Sequence, residues 1–386
     1  MYDFDTIVER ENTNCLKWDT VEKGLLPMWV ADMDFQSPPE VIAALQERAR
    51  HGVYGYSAGY GGWLEALRQW MGKRYGWAPQ REWISTSPGV VAALYMLVRA
   101  LTEPGDRIII QPPVYRPFYN IARSQGCVLL ENPLHFDGRK YHMDLEQLRQ
   151  QVDGRVKILI LCSPHNPVGR VWTREELLAL GRFCLEHEIT IISDEIHSDL
   201  VFPGYKHTVI ASISRELEQN TVVCNAPSKT FNIAGIPASN VIIANDNLRS
   251  AYRRVLRSSG LDLPNVFAVT AAEAAYKYGE AWLEELLLYL ENNYRLASRF
   301  FAEHIPEIKI VEPEGTYLLW LDCRSLGLGD KELDSFIKEK ARLLLEPGLV
   351  FGSGGSGFQR MNIACPRQRL EEALGRLEKA LRGWEE

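Results

Sequence analysis

From Arg107 to Ala244 the chain repeats one pattern: a short apolar run rich in β-branched residues, a break of polar or turn-forming residues, then a stretch with helical spacing. The runs are Arg107-Ile108-Ile109-Ile110, Cys127 to Leu130, Val156 to Leu161, Thr190 to Ser193, Thr221 to Cys224 and Asn240 to Ala244. Runs that are apolar at successive positions suit strands buried on both faces. The intervening helices are marked as well. Gly89 to Leu101 reads as a buried helix stopped by Glu103-Pro104-Gly105-Asp106, and Thr173-Arg174-Glu175-Glu176 is a capping box. The expectation is an α/β fold in which an open, largely parallel sheet lies between helices and binds ligands at the carboxyl ends of its strands.

A chain of 386 residues exceeds the size at which one core keeps growing, so two domains are expected. The pattern changes near Tyr278. A long helix through Phe301 precedes strands at Ile308 to Val311, Tyr317 to Trp320 and Arg360 to Ile363, and an amphipathic helix follows from Pro366. The expected division is a large domain over residues 41–280 and a small α+β domain over 281–386. Residues 1–40, read as lacking a helix, pack on the small domain. Ser37-Pro38-Pro39-Glu40 reads as a capping box for a helix bearing Val41, Ile42, Leu45 and Ala49.

Three strand ends carry chemistry. Thr221 to Cys224 leads into Ala226-Pro227-Ser228-Lys229-Thr230, Thr190 to Ser193 ends on Asp194, and Val156 to Leu161 runs to Ser163-Pro164-His165-Asn166-Pro167. A lysine, an acid and an asparagine then share one sheet edge. Pyridoxal 5′-phosphate (PLP) needs such a set: an amine for its aldehyde, a carboxylate that keeps its ring nitrogen protonated, and a donor to its ring hydroxyl. A metal on Asp194, His197 and Asp199 is the competing reading; no further ligand stands at a suitable spacing, so none is expected. Ser87-Pro88-Gly89-Val90-Val91 opens a helix whose free amides suit an anion.

Read in order, these motifs resemble the fold-type I PLP enzymes of the class I/II aminotransferase superfamily over nearly the full length. Within it, Met28-Trp29-Val30-Ala31-Asp32-Met33-Asp34-Phe35, Val53-Tyr54-Gly55-Tyr56-Ser57 and Asp194-Glu195-Ile196-His197-Ser198-Asp199 are most similar to the cystathionine β-lyase branch of MalY/PatB type. The resemblance implies a large PLP-binding domain with a mostly parallel sheet of the seven-stranded type, and a carbon-sulfur lyase that acts on cysteine conjugates. It implies that Lys229 carries the cofactor, Asp194 pairs with the pyridinium nitrogen, Asn166 donates to the ring oxygen and Tyr115 stacks on the ring. Gly89, Val90, Val91 and Ser228 would hold the phosphate, with Tyr56 reaching across from a second subunit of a homodimer. Arg360 matches the arginine that clamps a substrate's α-carboxylate, and Trp29 and Ala31 fall beside the substrate.

Two departures stand out. Gly235-Ile236-Pro237-Ala238-Ser239 lacks the arginine that aminotransferases often place after the lysine. His197 stands where many relatives carry tyrosine, so its part near the ring is open between cofactor contact and structure. The run Gly352-Ser353-Gly354-Gly355-Ser356-Gly357 reads as a flexible rim before Arg360; a strand follows it, which argues against a dinucleotide loop. Trp29, Tyr54, Tyr60 and Trp63 are expected at the entrance, where aromatic walls suit a thioether better than a second carboxylate.

A net charge of -7 gives no general attraction to nucleic acid or anionic lipid, and no apolar run approaches membrane-spanning length. Seven dispersed cysteines without a Cys-x-x-Cys pair, and an acidic start at Met1-Tyr2-Asp3, point to a cytoplasmic protein. The expected partners are an amino-acid substrate and a second copy of the chain. The alternatives to a lyase are an aminotransferase and a PLP-holding regulatory or interaction protein.

Overall fold

In Arg107–Ile110, Ile108 and Ile110 pack with one layer of helices and Ile109 with the layer opposite, so each side of the strand is buried. The same alternation recurs in Val156–Cys162, Thr190–Asp194, Thr221–Asn225 and Ser239–Ile243 of this computed structural model, which describes residues 2–383. The strands of the sheet are β1 (Ile84–Ser87), β2 (Arg107–Ile110), β3 (Val128–Glu131), β4 (Val156–Cys162), β5 (Thr190–Asp194), β6 (Thr221–Asn225) and β7 (Ser239–Ile243). The seven lie in the order β1-β7-β6-β5-β4-β2-β3. β7 runs antiparallel to both neighbours and the other pairs are parallel. Each fully buried valine, leucine or isoleucine contributes roughly 1.5–3 kcal/mol. A sheet apolar on both faces therefore fixes its register firmly, and with it the residues at its edge.

Four strands form a second sheet: β8 (Lys309–Val311), β9 (Leu318–Asp322), β10 (Glu346–Pro347) and β11 (Phe358–Asn362), in the order β8-β9-β11-β10, all antiparallel. The helix Glu280–His304 packs into the core beneath this sheet. In the N-terminal segment, Leu26 and Pro27 pair in parallel with Leu343 and Leu344 as a separate two-stranded sheet.

Three expectations need correction. The first forty residues do contain one helical turn, Leu16–Asp19, which carries the buried Lys17 inward. Ser37 does not cap the helix Pro39–Arg50: its hydroxyl donates to the carbonyl of Asn232, and Pro38 at the N-cap position offers no side-chain acceptor. The glycine run before Arg360 is tightly packed. A Cβ on Gly355 would lie 2.0 Å from the Gly348 carbonyl and one on Gly352 1.7 Å from the Tyr119 hydroxyl, so glycine is demanded there by close approach and not by mobility. No helix among the described residues is long and apolar enough to cross a membrane.

Candidate active site

Cys162, Asp194 and Cys224 occupy equivalent positions on β4, β5 and β6. In-register residues of neighbouring strands project from the same face, so the Asp194 carboxylate lies between two thiols. It is 4% exposed and accepts one hydrogen bond, from the Ile196 N–H at 3.1 Å. Burial pushes its pKa up to about 7, against the Ile196 N–H and with the Glu195 charge adding; Lys229 opposes. Thiols are weak donors, and no cation pairs with this carboxylate among the described residues.

Lys229 rides on the single turn Pro227–Thr230 directly after β6. Burial lowers its pKa from the ordinary 10.5 to about 8, opposed by the Asp32 charge, while Arg360 lowers it further. At pH 7 about a tenth of such an amine is neutral, against about one part in three thousand for an ordinary lysine, so the shift makes it a usable nucleophile and base. Its Nζ donates to the Ala31 carbonyl at 2.5 Å, and the Tyr317 hydroxyl donates to the same oxygen at 3.0 Å. The Tyr317 ring meets His197 edge-on, with centroids 6.1 Å apart. His197 is buried, its Nδ1 has no partner, and burial together with the Lys229 and Arg360 charges holds its pKa down to about 3. The imidazole is neutral at any working pH.

Arg360 lies in the middle of β11 and is 4% exposed, so it is not a surface ion-pair residue. Nη1 donates to Asn166 Oδ1 at 3.0 Å and Nη2 to the Trp29 carbonyl at 2.7 Å; Nε has no partner, and the guanidinium lies 4.9 Å from the Phe351 ring centre. Because Asn166 spends its oxygen on Arg360, its NH₂ group is left to donate elsewhere. Tyr115 is half-buried and packs edge-to-face on Phe118. Burial, then the Asp194 charge, raises its hydroxyl pKa.

Gly89 precedes the first turn of the helix Val90–Leu101 in extended backbone, and no side chain caps the amides that follow. A Cβ built on Gly89 meets nothing within 4 Å, so the approach to those amides is open. The Ser228 hydroxyl makes no hydrogen bond among the described residues. Tyr56 is 97% exposed and stands apart from the converging set. Two of the expected entrance aromatics are elsewhere: Trp63 is fully buried core, and exposed Tyr54 packs on Phe267. Tyr60 is half-buried against Trp63. Trp29 contributes its backbone carbonyl to Arg360, while its indole N–H reaches the Lys17 carbonyl at 3.4 Å.

Residues not singled out beforehand hold the segment Trp29 to Phe35 over Lys229. Asn362 Nδ2 donates to the carbonyls of Val30 and Asp32 at 2.7 and 2.6 Å. Asn232, in the left-handed region at φ 53, donates to the carbonyls of Met33 and Phe35 and accepts from the Met33 N–H. Asp34 is buried with Lys17 at 2.9 Å, Arg10 at 2.7 Å and the Trp18 indole at 3.0 Å. The sequence signal for this clamp is asparagine inside two otherwise apolar or hydroxyl-bearing stretches, where only side-chain-to-backbone bonding repays the burial.

The site thus offers a buried carboxylate without a cation, a depressed lysine amine a strand away, and an uncapped helix start with open space before it. Those are the complements of a pyridinium nitrogen, an aldehyde and a phosphate, so the residues fit PLP. The family description for aminotransferase class I and II matches residues 25–377, and the chain belongs to that family, whose members are PLP-dependent enzymes. Among individual proteins, it is 46% identical to the cystathionine beta-lyase PatB of Bacillus subtilis over 384 residues, 98% of this chain and 99% of the relative. The crystal structure of cystalysin from Treponema denticola, which contains PLP, superposes with a TM-score of 0.96 at 39% identity over the whole of both chains. The PLP-bound C-S lyase of Staphylococcus hominis does so at 0.92, with 32% identity, over 98% of this chain and 99% of that one.

Proposed function

We infer that the chain is a PLP-dependent carbon-sulfur β-lyase that cleaves L-cystathionine or a related S-substituted cysteine to a thiol, pyruvate and ammonia. The observation that carries this is near-full-length identity of 46% to a cystathionine beta-lyase, with the same fold in a C-S lyase. PLP, when bound, supplies an aldehyde that takes up the substrate amine and a ring that draws off the electron pair left when the Cα–H bond breaks.

The chain's own residues do the rest. Asp194, which the two flanking thiols leave without a counter-charge, would pair with the ring nitrogen and keep it protonated. Asn166 would donate to the ring oxygen, Tyr115 would cover the ring, and Val90, Val91 and Ser228, with Gly89 admitting the approach, would hold the phosphate. Arg360 takes the α-carboxylate on its open Nε side, with Trp29 and Ala31 beside it, and so aims the Cα–H bond. Lys229 Nζ, neutral in useful amount near pH 8, receives the Cα proton; Ala31 and Tyr317 fix where that amine rests. His197, held neutral, shapes the wall by packing on Tyr317. Departure of the thiolate from Cβ and addition of one water give pyruvate and ammonia.

The working unit is a homodimer in the cytoplasm. Exposed Val53, Tyr54 and Tyr56 on one loop support the first, because burial against a second copy brings Tyr56 to that copy's phosphate site. Seven free cysteines support the second. Residues 1–40 and 281–386 form the small domain and 41–280 the large one; the pairing of Leu26 and Pro27 with Leu343 and Leu344 supports that division. The test is a direct comparison of β-elimination from S-ethyl-L-cysteine with amino transfer from L-aspartate to 2-oxoglutarate. Elimination should exceed transfer in kcat/KM by roughly a hundredfold or more; faster transfer overturns the lyase reading.

A further inference from the structure

Glu346 has no place in a simple α-carboxylate clamp. It is the cross-strand partner of Arg360 in register, and its carboxylate lies 3.7 Å from Nη2 of that arginine. A carboxylate there repels the very group Arg360 must bind. Its surroundings locate it. Burial raises the Glu346 pKa, while the charges of Arg360 and then Arg116 oppose that. The Tyr115 hydroxyl, dominated by its own burial, feels Asp194, Arg360, Cys162 and Glu346 in turn. Glu346 therefore lies beside Arg360 and within reach of the Arg116 charge. Arg116 is exposed, and its guanidinium makes no hydrogen bond or ion pair among the described residues. Exposure rises from Arg360 (5% in its side chain) through Glu346 (19%) to the exposed Arg116, a series of cation, anion, cation.

A substrate bound with its α-carboxylate on Arg360 must send the group beyond sulfur outward, past this sequence of charges. Glu346 then meets an ammonium and Arg116 a second carboxylate. We propose that Glu346 and Arg116 are the specificity-determining pair for the distal amino-acid head of a zwitterionic thioether. The enzyme accordingly prefers S-conjugates that carry a second ammonium and carboxylate on one carbon over S-alkyl cysteines. The pair makes the mouth more charged than its aromatic residues suggested. The two members differ in weight. Glu346, 19% exposed in its side chain, discriminates strongly, because a half-buried acid left without its ammonium is penalised; Arg116 at the rim is screened by water and contributes less.

The inference rests on the lyase reading, and the experiment separates the two. With the PLP-loaded enzyme, kcat/KM is measured for L-cystathionine and S-ethyl-L-cysteine in the parent, in Glu346→Gln and in Arg116→Gln. The preference for cystathionine should fall roughly tenfold or more in Glu346→Gln and by a few-fold in Arg116→Gln, mainly through KM. Equal loss on both substrates in Glu346→Gln would mean that the residue only positions Arg360. That result, or an unchanged preference in both variants, overturns the subsite alone. A parent enzyme that releases pyruvate from neither thioether overturns the lyase reading and the subsite with it.

Discussion

Asp194→Asn should stabilise the cofactor-stripped protein at neutral and alkaline pH while crippling the loaded enzyme. In the folded chain burial pushes the Asp194 pKa from the ordinary 3.8 up to about 7. The sign follows from proton binding: a raised carboxyl holds its proton more tightly when folded than when unfolded. Its contribution is fully present below pH 4 and is lost as pH rises through 7. About three pKa units at about 1.4 kcal/mol each set an upper bound of about 4 kcal/mol, of which about 2 to 3 kcal/mol falls between pH 5 and pH 8. Asparagine does not titrate. Urea denaturation of stripped parent and variant at those two pH values should therefore show the variant gaining on the parent by an amount of that order as pH rises. With PLP bound the effect reverses, since the ring nitrogen loses its counter-charge. PLP affinity should weaken, and kcat for pyruvate release should fall on the order of a hundredfold to a thousandfold. A variant that loses stability relative to the parent between pH 5 and pH 8, or that keeps activity within a factor of about two, refutes the assignment.

Lys229→Ala should abolish covalent attachment of PLP, read as loss of the visible cofactor absorbance after gel filtration, with pyruvate release at background. Arg360→Ala should raise KM for S-substituted cysteines by roughly a hundredfold while leaving that absorbance in place, since a desolvated charge-assisted pair is worth about 2–5 kcal/mol; unaltered KM would move the carboxylate clamp elsewhere. Lys17→Met leaves buried Asp34 with Arg10 as its one remaining cation beside the Trp18 indole N–H, and should cost about 3 kcal/mol in urea denaturation, because one partner of a buried pair has been removed. Sedimentation should give a dimer at assay concentration, and Tyr56→Phe should weaken PLP binding several-fold without dissociating it; a fully active monomer contradicts the shared phosphate site.

The central strands were legible because they are buried on both faces: Arg107–Ile110, Val156–Cys162, Thr190–Asp194 and Thr221–Asn225 are nearly uninterrupted apolar runs, and polar residues that follow them mark the edge that carries Asn166, Asp194 and Lys229. β1 escaped notice because Ile-Ser-Thr-Ser looks like a turn, although its serines and threonine are buried against β7. Lys229, Asp194 and Asn166 stood out for the same reason as the strands they terminate. The clamp over Lys229 did not, since Asn232, Tyr317 and Asn362 act through bonds to carbonyls of a segment almost 200 or more residues away, and no local spacing encodes such a meeting. Glu346 was hidden likewise: a glutamate before proline on a two-residue strand carries no sign that Arg360 lies across from it.

The most direct test of the central claim is the product balance with L-cystathionine as sole substrate. The PLP-loaded enzyme, with no keto acid added, should release homocysteine, pyruvate and ammonia in equal amounts over many turnovers. Turnover that stops after about one equivalent per site and resumes only when a keto acid is supplied would contradict the account and make the chain an aminotransferase.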